Sequence, residues 1–391
     1  MFHHHPRRLV PLGEATSERA RSVVPLEAGD NQYCRNLLVP HALLRLAGAG
    51  RRPFRAIHVS RSSAQPIQIC SNLEGFSVHR GKGIQISNAA ASAAGFAAQC
   101  VRSDIVIIDN DVRRLCFAAA LKPFGSFKLI SVDLIVRPPV GPTDRAIAKL
   151  KAFLFSRVDK FILYFRNTEG FERYYGIRPD RTAYVPFKVN GLDQPFWPRA
   201  APPGDHVLCA GRTLRDLETF VAAAGRTGLP AVLLQQPAEI MSEHGTTAWH
   251  QSLPPNIELR LHADGRLESF ISAIAAARVV VIPRFKGDIC STGISTYLVA
   301  MALGKAVVIS RGPGADDVLH NEAIFVEPEN VDDLASAISR IWHDDAEREQ
   351  LGARAKRYAE KLGGTARLNE DIIRESLCSL PEPSGELAKN C

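Results

Sequence analysis

The chain of 391 residues has no run of about 20 apolar residues, the length an α-helix needs to cross a bilayer. Its best candidate, Ala89 to Val101, is interrupted by Ser92, Gly95 and Gln99. No membrane-spanning helix is therefore expected. The first 25 residues include basic side chains but no continuous apolar stretch, which argues against a secretory signal and for a cytoplasmic protein. Cys34, Cys70, Cys100, Cys116, Cys209, Cys290, Cys378 and Cys391 show no C-x-x-C spacing and no finger-like interval to histidine. They read as reduced thiols that fill core space. His3, His4 and His5 adjoin a terminus and are not a designed metal site.

What is present is an uneven charge. The net +7 divides into 29 basic against 15 acidic residues over 1–199, and 19 against 26 over 200–391. An asymmetry of this size is either a solvated surface or a first half that faces something anionic: a membrane, a phosphate-bearing substrate or nucleic acid. No recognised RNA- or DNA-binding motif and no basic-aromatic stacking pattern accompanies it, so nucleic acid is not expected as a partner.

From about Phe54, short apolar runs alternate with helical patterns. The clearest runs are Ile105 to Asp109, Phe127 to Asp133, Phe161 to Phe165, Ala183 to Phe187, His206 to Ala210, Ala231 to Gln235, Ile257 to Leu261, Val279 to Pro283, Ala306 to Ser310 and Ala323 to Val326. Runs that are apolar throughout suit parallel strands covered on both faces. Leu267 to Ala277 and Val331 to Trp342 have apolar residues at helical spacing. Strand and helix in alternation predict an α/β fold with doubly wound sheets. Pro195, Pro198, Pro202, Pro203 and Gly204 mark an exposed linker over Asn190 to Asp205, where the charge balance also reverses. The expected domains are 1–195, with 1–50 poorly defined, and 205–365, followed by a helix and tail over 366–391.

Two loops carry the candidate chemistry. Val279 to Ser310 reads as strand, glycine-containing loop, helix, turn and strand, with the helix starting near Ser291 or Ser295. Ser291, Thr292 and Ser295 can cap free N–H groups, and Gly293, followed by Ile294, allows close approach to the main chain. His206 to Phe220 reads as a strand, Gly211, then Arg212 and Arg215 ahead of a helix. Alone, each loop is explained equally well by a helix cap or a solvated turn. Together, at one edge of a parallel sheet, they form a diphosphate-binding arrangement.

Residues 206–360 resemble the donor-binding domain of GT-B glycosyltransferases, most closely the large bacterial group that builds surface polysaccharides and glycolipids. The resemblance rests on Gly211-Arg212, on Leu298-Val299-Ala300-Met301-Ala302 with Gly304-Lys305-Ala306-Val307-Val308, and on Asp316 and Asp317 followed by Ile324 to Pro328. It implies two Rossmann-like doubly wound domains facing across a cleft, with a nucleotide-sugar donor held by the second. Arg215 stands where the family usually has lysine. The family's paired glutamates, seven residues apart, fall at Ser291 and Val299, so the ribose contact would pass to Ser295 or Tyr297. Arg284 and Lys286 would balance phosphate charge, and His262 would lie beside the base.

In the first half, Asp133 and Arg137 follow a strand end, where a carboxylate could serve as general base or simply shape the turn. Pro142 to Phe161 reads as a helix with Ile147, Leu150, Phe153, Leu154, Val158 and Phe161 on one stripe and five basic residues elsewhere. It is either a core helix or a seat on an anionic membrane. The expectation is a hexosyltransferase-type enzyme acting on a glycan or lipid-linked acceptor, with no cofactor and no required metal, cytoplasmic or peripheral on the inner membrane face. A GT-B accessory protein without turnover is the alternative.

Overall fold

A computed structural model of the protein describes residues 54–60, 84–88 and 92–377. The expectations for residues 1–50, for His3 to His5 and for 378–391 lie outside them. The first sheet takes in β1 (Phe54–Ser60), β2 (Ile84–Asn88), β3 (Ile105–Asp109), β4 (Lys128–Val132), β5 (Lys160–Leu163) and β6 (Thr182–Tyr184). Between them run α1 (Ala93–Arg102), α2 (Val112–Leu121), α3 (Gly141–Phe155) and α4 (Glu169–Tyr175). All its strands pair in parallel, in the order β2-β1-β3-β4-β5-β6.

The second sheet is built from β7 (Val207–Ala210), β8 (Ala231–Gln235), β9 (Ile257–Leu261), β10 (Val279–Ile282), β11 (Ala306–Ser310) and β12 (Ile324–Val326). Its helices are α5 (Leu217–Thr227), α6 (Ala238–Glu243), α7 (Leu267–Ala275), α8 (Ile294–Ala302), α9 (Val331–His343), α10 (Asp345–Leu362) and α11 (Thr365–Leu377). The order β12-β11-β10-β7-β8-β9, again all parallel, is that of a doubly wound sheet. The direction of winding reverses between β7 and β10, and a crevice opens beyond their carboxyl ends.

Each apolar run read from the sequence lies on one of these strands. Central strands such as β7, β10 and β11 are buried at every position, as coverage by helices on both faces requires. Short polar side chains start the helices: Ser92 Oγ accepts from Gly95 N at 3.1 Å, Asp111 Oδ1 from Arg114 N at 3.0 Å, and Asp216 Oδ1 from Thr219 N at 3.1 Å.

The linker is less exposed than its prolines suggest. Val189 is buried, and Phe187, Leu192, Phe196 and Trp197 pack against a core cluster that draws on both sheets, including Ile130 and Ile282. Aromatic residues that can bury their rings outweigh the prolines between them. Asp193, Pro195, Arg199, Ala200, Pro202, Pro203 and Asp205 do lie open, and Lys305 Nζ donates to the Pro202 carbonyl. Helix α11 returns to the first sheet, where Lys160 Nζ meets Glu375 Oε2 at 3.0 Å.

Helix α3 also departs from the expected stripe. It buries Ala148 and Phe155, while Ile147, Leu150 and Phe153 face outward.

Asp159, just ahead of β5, fastens β4 to β5. Its carboxylate accepts from Leu129 N at 2.8 Å, Lys122 Nζ at 2.6 Å and Lys128 Nζ at 3.1 Å. Burial works against its charge, but these bonds outweigh burial and hold its pKa below the usual carboxylate range. Its contribution is present above the ordinary aspartate pKa and is lost as pH falls through the lowered one. Asp159→Asn should therefore cost about 1–3 kcal/mol at pH 7, with the cost shrinking toward pH 3 in denaturant titrations. A pH-independent difference would contradict this.

Candidate functional site

A cavity of about 350 Å³ opens at the reversal point of the second sheet and is closed on its far side by the first. From the second domain, Gly211 to Thr213 and Arg215 follow β7, Gln236 follows β8, His262 follows β9, and Ser291 to Thr296 lead into α8. From the first, Asn110 and Asp133 follow β3 and β4, and Phe187 and Asn190 come from the linker. Strand ends thus supply most of the polar lining, as parallel sheets dictate.

Arg215 is the center of this arrangement. Its side chain is 2% exposed, with Nε donating to Ala210 O at 3.2 Å and Nη1 to Thr213 O at 2.7 Å. Among the described residues no carboxylate pairs with it and Nη2 has no acceptor. Burial, reinforced by the neighbouring Arg284, pushes its pKa down to about 10, so it stays charged at neutral pH.

Two glycines make room for that guanidinium. A Cβ on Gly211, at φ +108°, would stand 2.6 Å from Arg215 Nη2, and one on Gly293, at φ +91°, would stand 3.2 Å from it. Leu214 between them adopts φ +48°, a strained value for leucine, with its N–H bonded to His244 O. The backbones of Arg215 and Arg284 pair as an isolated bridge, which joins the loops after β7 and β10.

Helix α8 begins at Gly293 with no side-chain cap. The hydroxyls expected to cap it are engaged elsewhere: Thr292 Oγ1 donates to Asp288 Oδ2 at 2.5 Å, and Ser295 Oγ accepts from Asn190 Nδ2 at 2.5 Å. The first-turn N–H groups of a nine-residue helix are left facing the cavity beside Arg215. A free guanidinium and a helix start at one point suit a doubly charged anion.

The remaining predicted residues divide. Arg212, exposed at the rim, donates to Gln236 Oε1 at 3.2 Å, and Gln236 Nε2 lies 3.4 Å from His262 Nδ1. His262 is buried, with Nε2 at 2.9 Å from Ser269 Oγ and 3.1 Å from Arg266 O, so its role is to hold the wall. Ser291 and Ile294 line the cavity.

Arg284, Lys286 and Arg137 do not line it. Arg284 is fully buried in a 3.0 Å ion pair with Asp288 and donates to the carbonyls of Pro313 and Cys290 at 2.9 and 2.6 Å. Its charge is met by protein, which makes it a brace for the loop. Lys286 is exposed, its backbone N–H bonded to Glu329 at 2.9 Å. Arg137 opens an Arg-Pro-Pro segment that turns away toward α3, its side chain 71% exposed and 3.8 Å from Asp144. Val299 is buried within α8 and Tyr297 OH is committed to Gly314 O at 2.7 Å, and neither lines the cavity, whereas Ser295 does.

The domains also meet outside the cavity lining, next to Ser291 and Ile135. Cys290 Sγ accepts from Val136 N at 3.2 Å and donates to Val136 O at 2.8 Å. Asp317 Oδ2 accepts from Arg166 N and Asn167 N at 2.7 and 2.8 Å.

Asp133 brings a carboxyl to the cavity from the first domain, at φ +48°. Burial, with Asp109 adding repulsion, raises its pKa to about 8, so it is protonated at neutral pH. A raised folded-state value contributes stability below the unfolded pKa and loses it as pH rises through the folded one. Relative to Asp133→Asn, which tolerates the same backbone, the native protein should lose up to about 1.4 kcal/mol per pH unit between pH 4 and 8. Parallel stability profiles for the two proteins would rule this out.

Comparison with known proteins agrees with this architecture. The family model described as Glycosyl transferases group 1 matches residues 243–344. No curated protein matches the chain. Among solved structures, Anabaena HepE in complex with UDP-glucose is similar at a TM-score of 0.59 and 14% identity, covering 83% of this chain and 100% of that one. Sucrose-phosphate synthase from Thermosynechococcus elongatus gives 0.58 and 16%, covering 84% and 100%. A UDP-forming α,α-trehalose-phosphate synthase from Burkholderia xenovorans, in complex with glucose-6-phosphate, gives 0.54 and 14%, covering 83% and 100%.

Proposed function

We propose that this chain, a GT-B protein whose residues 243–344 match group 1 glycosyl transferases, moves a sugar from a nucleotide diphosphate donor to a hydroxyl of a glycan or lipid-linked acceptor in cell-surface polysaccharide or glycolipid synthesis. The observation that carries this reading is Arg215: a buried cation with an unbonded Nη2 beside an uncapped helix start. The resemblance to HepE, solved with UDP and with UDP-glucose, makes uridine diphosphate the first nucleotide to try.

In this reading Arg215 and the first N–H groups of α8 receive the diphosphate and stabilise the charge that builds on it as the sugar departs. Arg212 adds a solvated cation at the rim. Ser295 and Asn190 take the ribose hydroxyls in place of the carboxylate that Val299 lacks. The acceptor enters on the Asp133 side. Packing of the two domains beside the cavity excludes water and limits donor hydrolysis. If Asp133 is the general base it must first lose its proton, so the transfer rate should rise with pH and level off above about 8. Asp133→Asn should abolish that limb; a rate that stays flat across this range would exclude the base role.

Calorimetric titration with UDP, GDP and ADP tests the site. Arg215→Ala should weaken the preferred nucleotide at least about 30-fold, about 2 kcal/mol, and Arg212→Ala less, because its guanidinium is solvated. Affinity that survives Arg215→Ala would refute the assignment. Since this chain's own groups meet the diphosphate charge, transfer is expected to continue in chelator; loss restored by magnesium or manganese would contradict that. A second reading, an accessory protein that binds donor without turnover, draws on Val299, because Asp133 is the sole carboxyl among the described lining residues. It predicts nucleotide-sugar binding with neither hydrolysis nor product.

A further inference from the structure

Helix α3 has two apolar faces, and the fold uses one. Ala148 and Phe155 are buried against the first domain. On the opposite side Ile147, Leu150 and Phe153 are 46%, 61% and 58% exposed, and Val140, just ahead of the first turn, is 78% exposed. Spacings of seven, three and three residues keep these four on one side of the helix.

Cations border this strip. Arg145 and Lys149 are exposed, Lys151 and Arg157 half-buried, and the Arg157 guanidinium lies 4.7 Å over the Phe153 ring. From residue 112 to 160 there are 10 Lys and Arg against 3 Asp. Those three carboxyls are engaged: Asp133 in the cavity, Asp144 with Val140 N at 3.3 Å, and Asp159 with two lysines. The strip is therefore apolar at its center with the exposed Arg145 and Lys149 at its margin, while Lys122 and Lys128 are taken up by Asp159 and the acidic Glu169 and Glu172 lie on the adjacent α4.

That combination matches the boundary layer of an anionic bilayer, where apolar side chains reach the acyl chains and cations lie at the phosphates. Arginine and lysine suit this position because their stems are apolar and their heads charged. We propose that the exposed face of α3 docks the protein on an anionic lipid surface. The docking needs no donor and no turnover, so it stands or falls separately from the transferase reading.

Flotation of the full chain with vesicles of phosphatidylcholine alone, and of phosphatidylcholine mixed with phosphatidylglycerol, tests it. The protein should float with the anionic mixture, stay behind with phosphatidylcholine alone, and be released by high salt. Leu150→Glu combined with Phe153→Glu should reduce partitioning at least about tenfold, with the native unfolding temperature retained. Arg145→Glu with Lys149→Glu, two exposed positions remote from the core, should reduce it similarly and keeps the test valid if the first pair unfolds. Absence of anionic binding, or flotation indifferent to both pairs, would overturn the proposal. So would a dimer that sediments in solution and dissociates on Leu150→Glu, because a second copy would then cover this face.

Discussion

A guanidinium buried without a carboxylate is costly, and the second domain is arranged around one. Arg215 gives up most of its hydration and recovers two carbonyl acceptors, those of Ala210 and Thr213. Its remaining donors face the start of α8. Gly211 leaves room for the guanidinium, Gly293 for Ile282 first and the guanidinium beside it, and Leu214 accepts a strained backbone to complete the loop. An arrangement that concentrates positive potential in this way is stabilised by an incoming anion, and it keeps its donors fixed before the anion arrives.

Arg284, close by in the chain's other loop, is the instructive contrast. It is as deeply buried, yet Asp288 neutralises it and two carbonyls accept from it. One arginine is spent on architecture and the other left for a ligand, although both follow strands on the same edge of the sheet. The backbone bridge between them means that the paired arginine holds the unpaired one in place. The cross-domain contacts at Cys290 and Asp317 extend this frame to the first sheet, so that Asp133 and Arg215 line one cavity.

Much of this was legible in the sequence because parallel strands buried on both faces leave unbroken apolar runs. β7, β10 and β11 could be found that way, and the loops after β7 and β10 with them. β1 and β2 were not singled out, since Arg55 and His58 interrupt one run and polar residues alternate through the other. Composition could not separate Arg215 from Arg284, because the difference lies in Asp288 and in the path of the loop. The cap hydroxyls were misassigned for a similar reason: Thr292 and Ser295 bond to Asp288 and Asn190, partners that only the folded chain brings close. Gln236 and Asn110 were within reach, as each follows directly on a strand end. Asn190 was not, because nothing in a proline-bearing linker marks which residues turn inward. The sequence left α3 open between a core helix and a membrane seat, because a helix with two apolar faces has the same residue types as a core helix.

The central claim is that Arg215 and the start of α8 form the diphosphate site. A crystal structure of the protein with an intact nucleotide-sugar donor tests it most directly. The account predicts diphosphate oxygens within about 3 Å of Arg215 Nη2 and of the Ile294 or Ser295 backbone N–H groups, with the sugar turned toward Asp133. A donor bound elsewhere, or one seated in this cavity with Arg215 making no contact to phosphate, would contradict it.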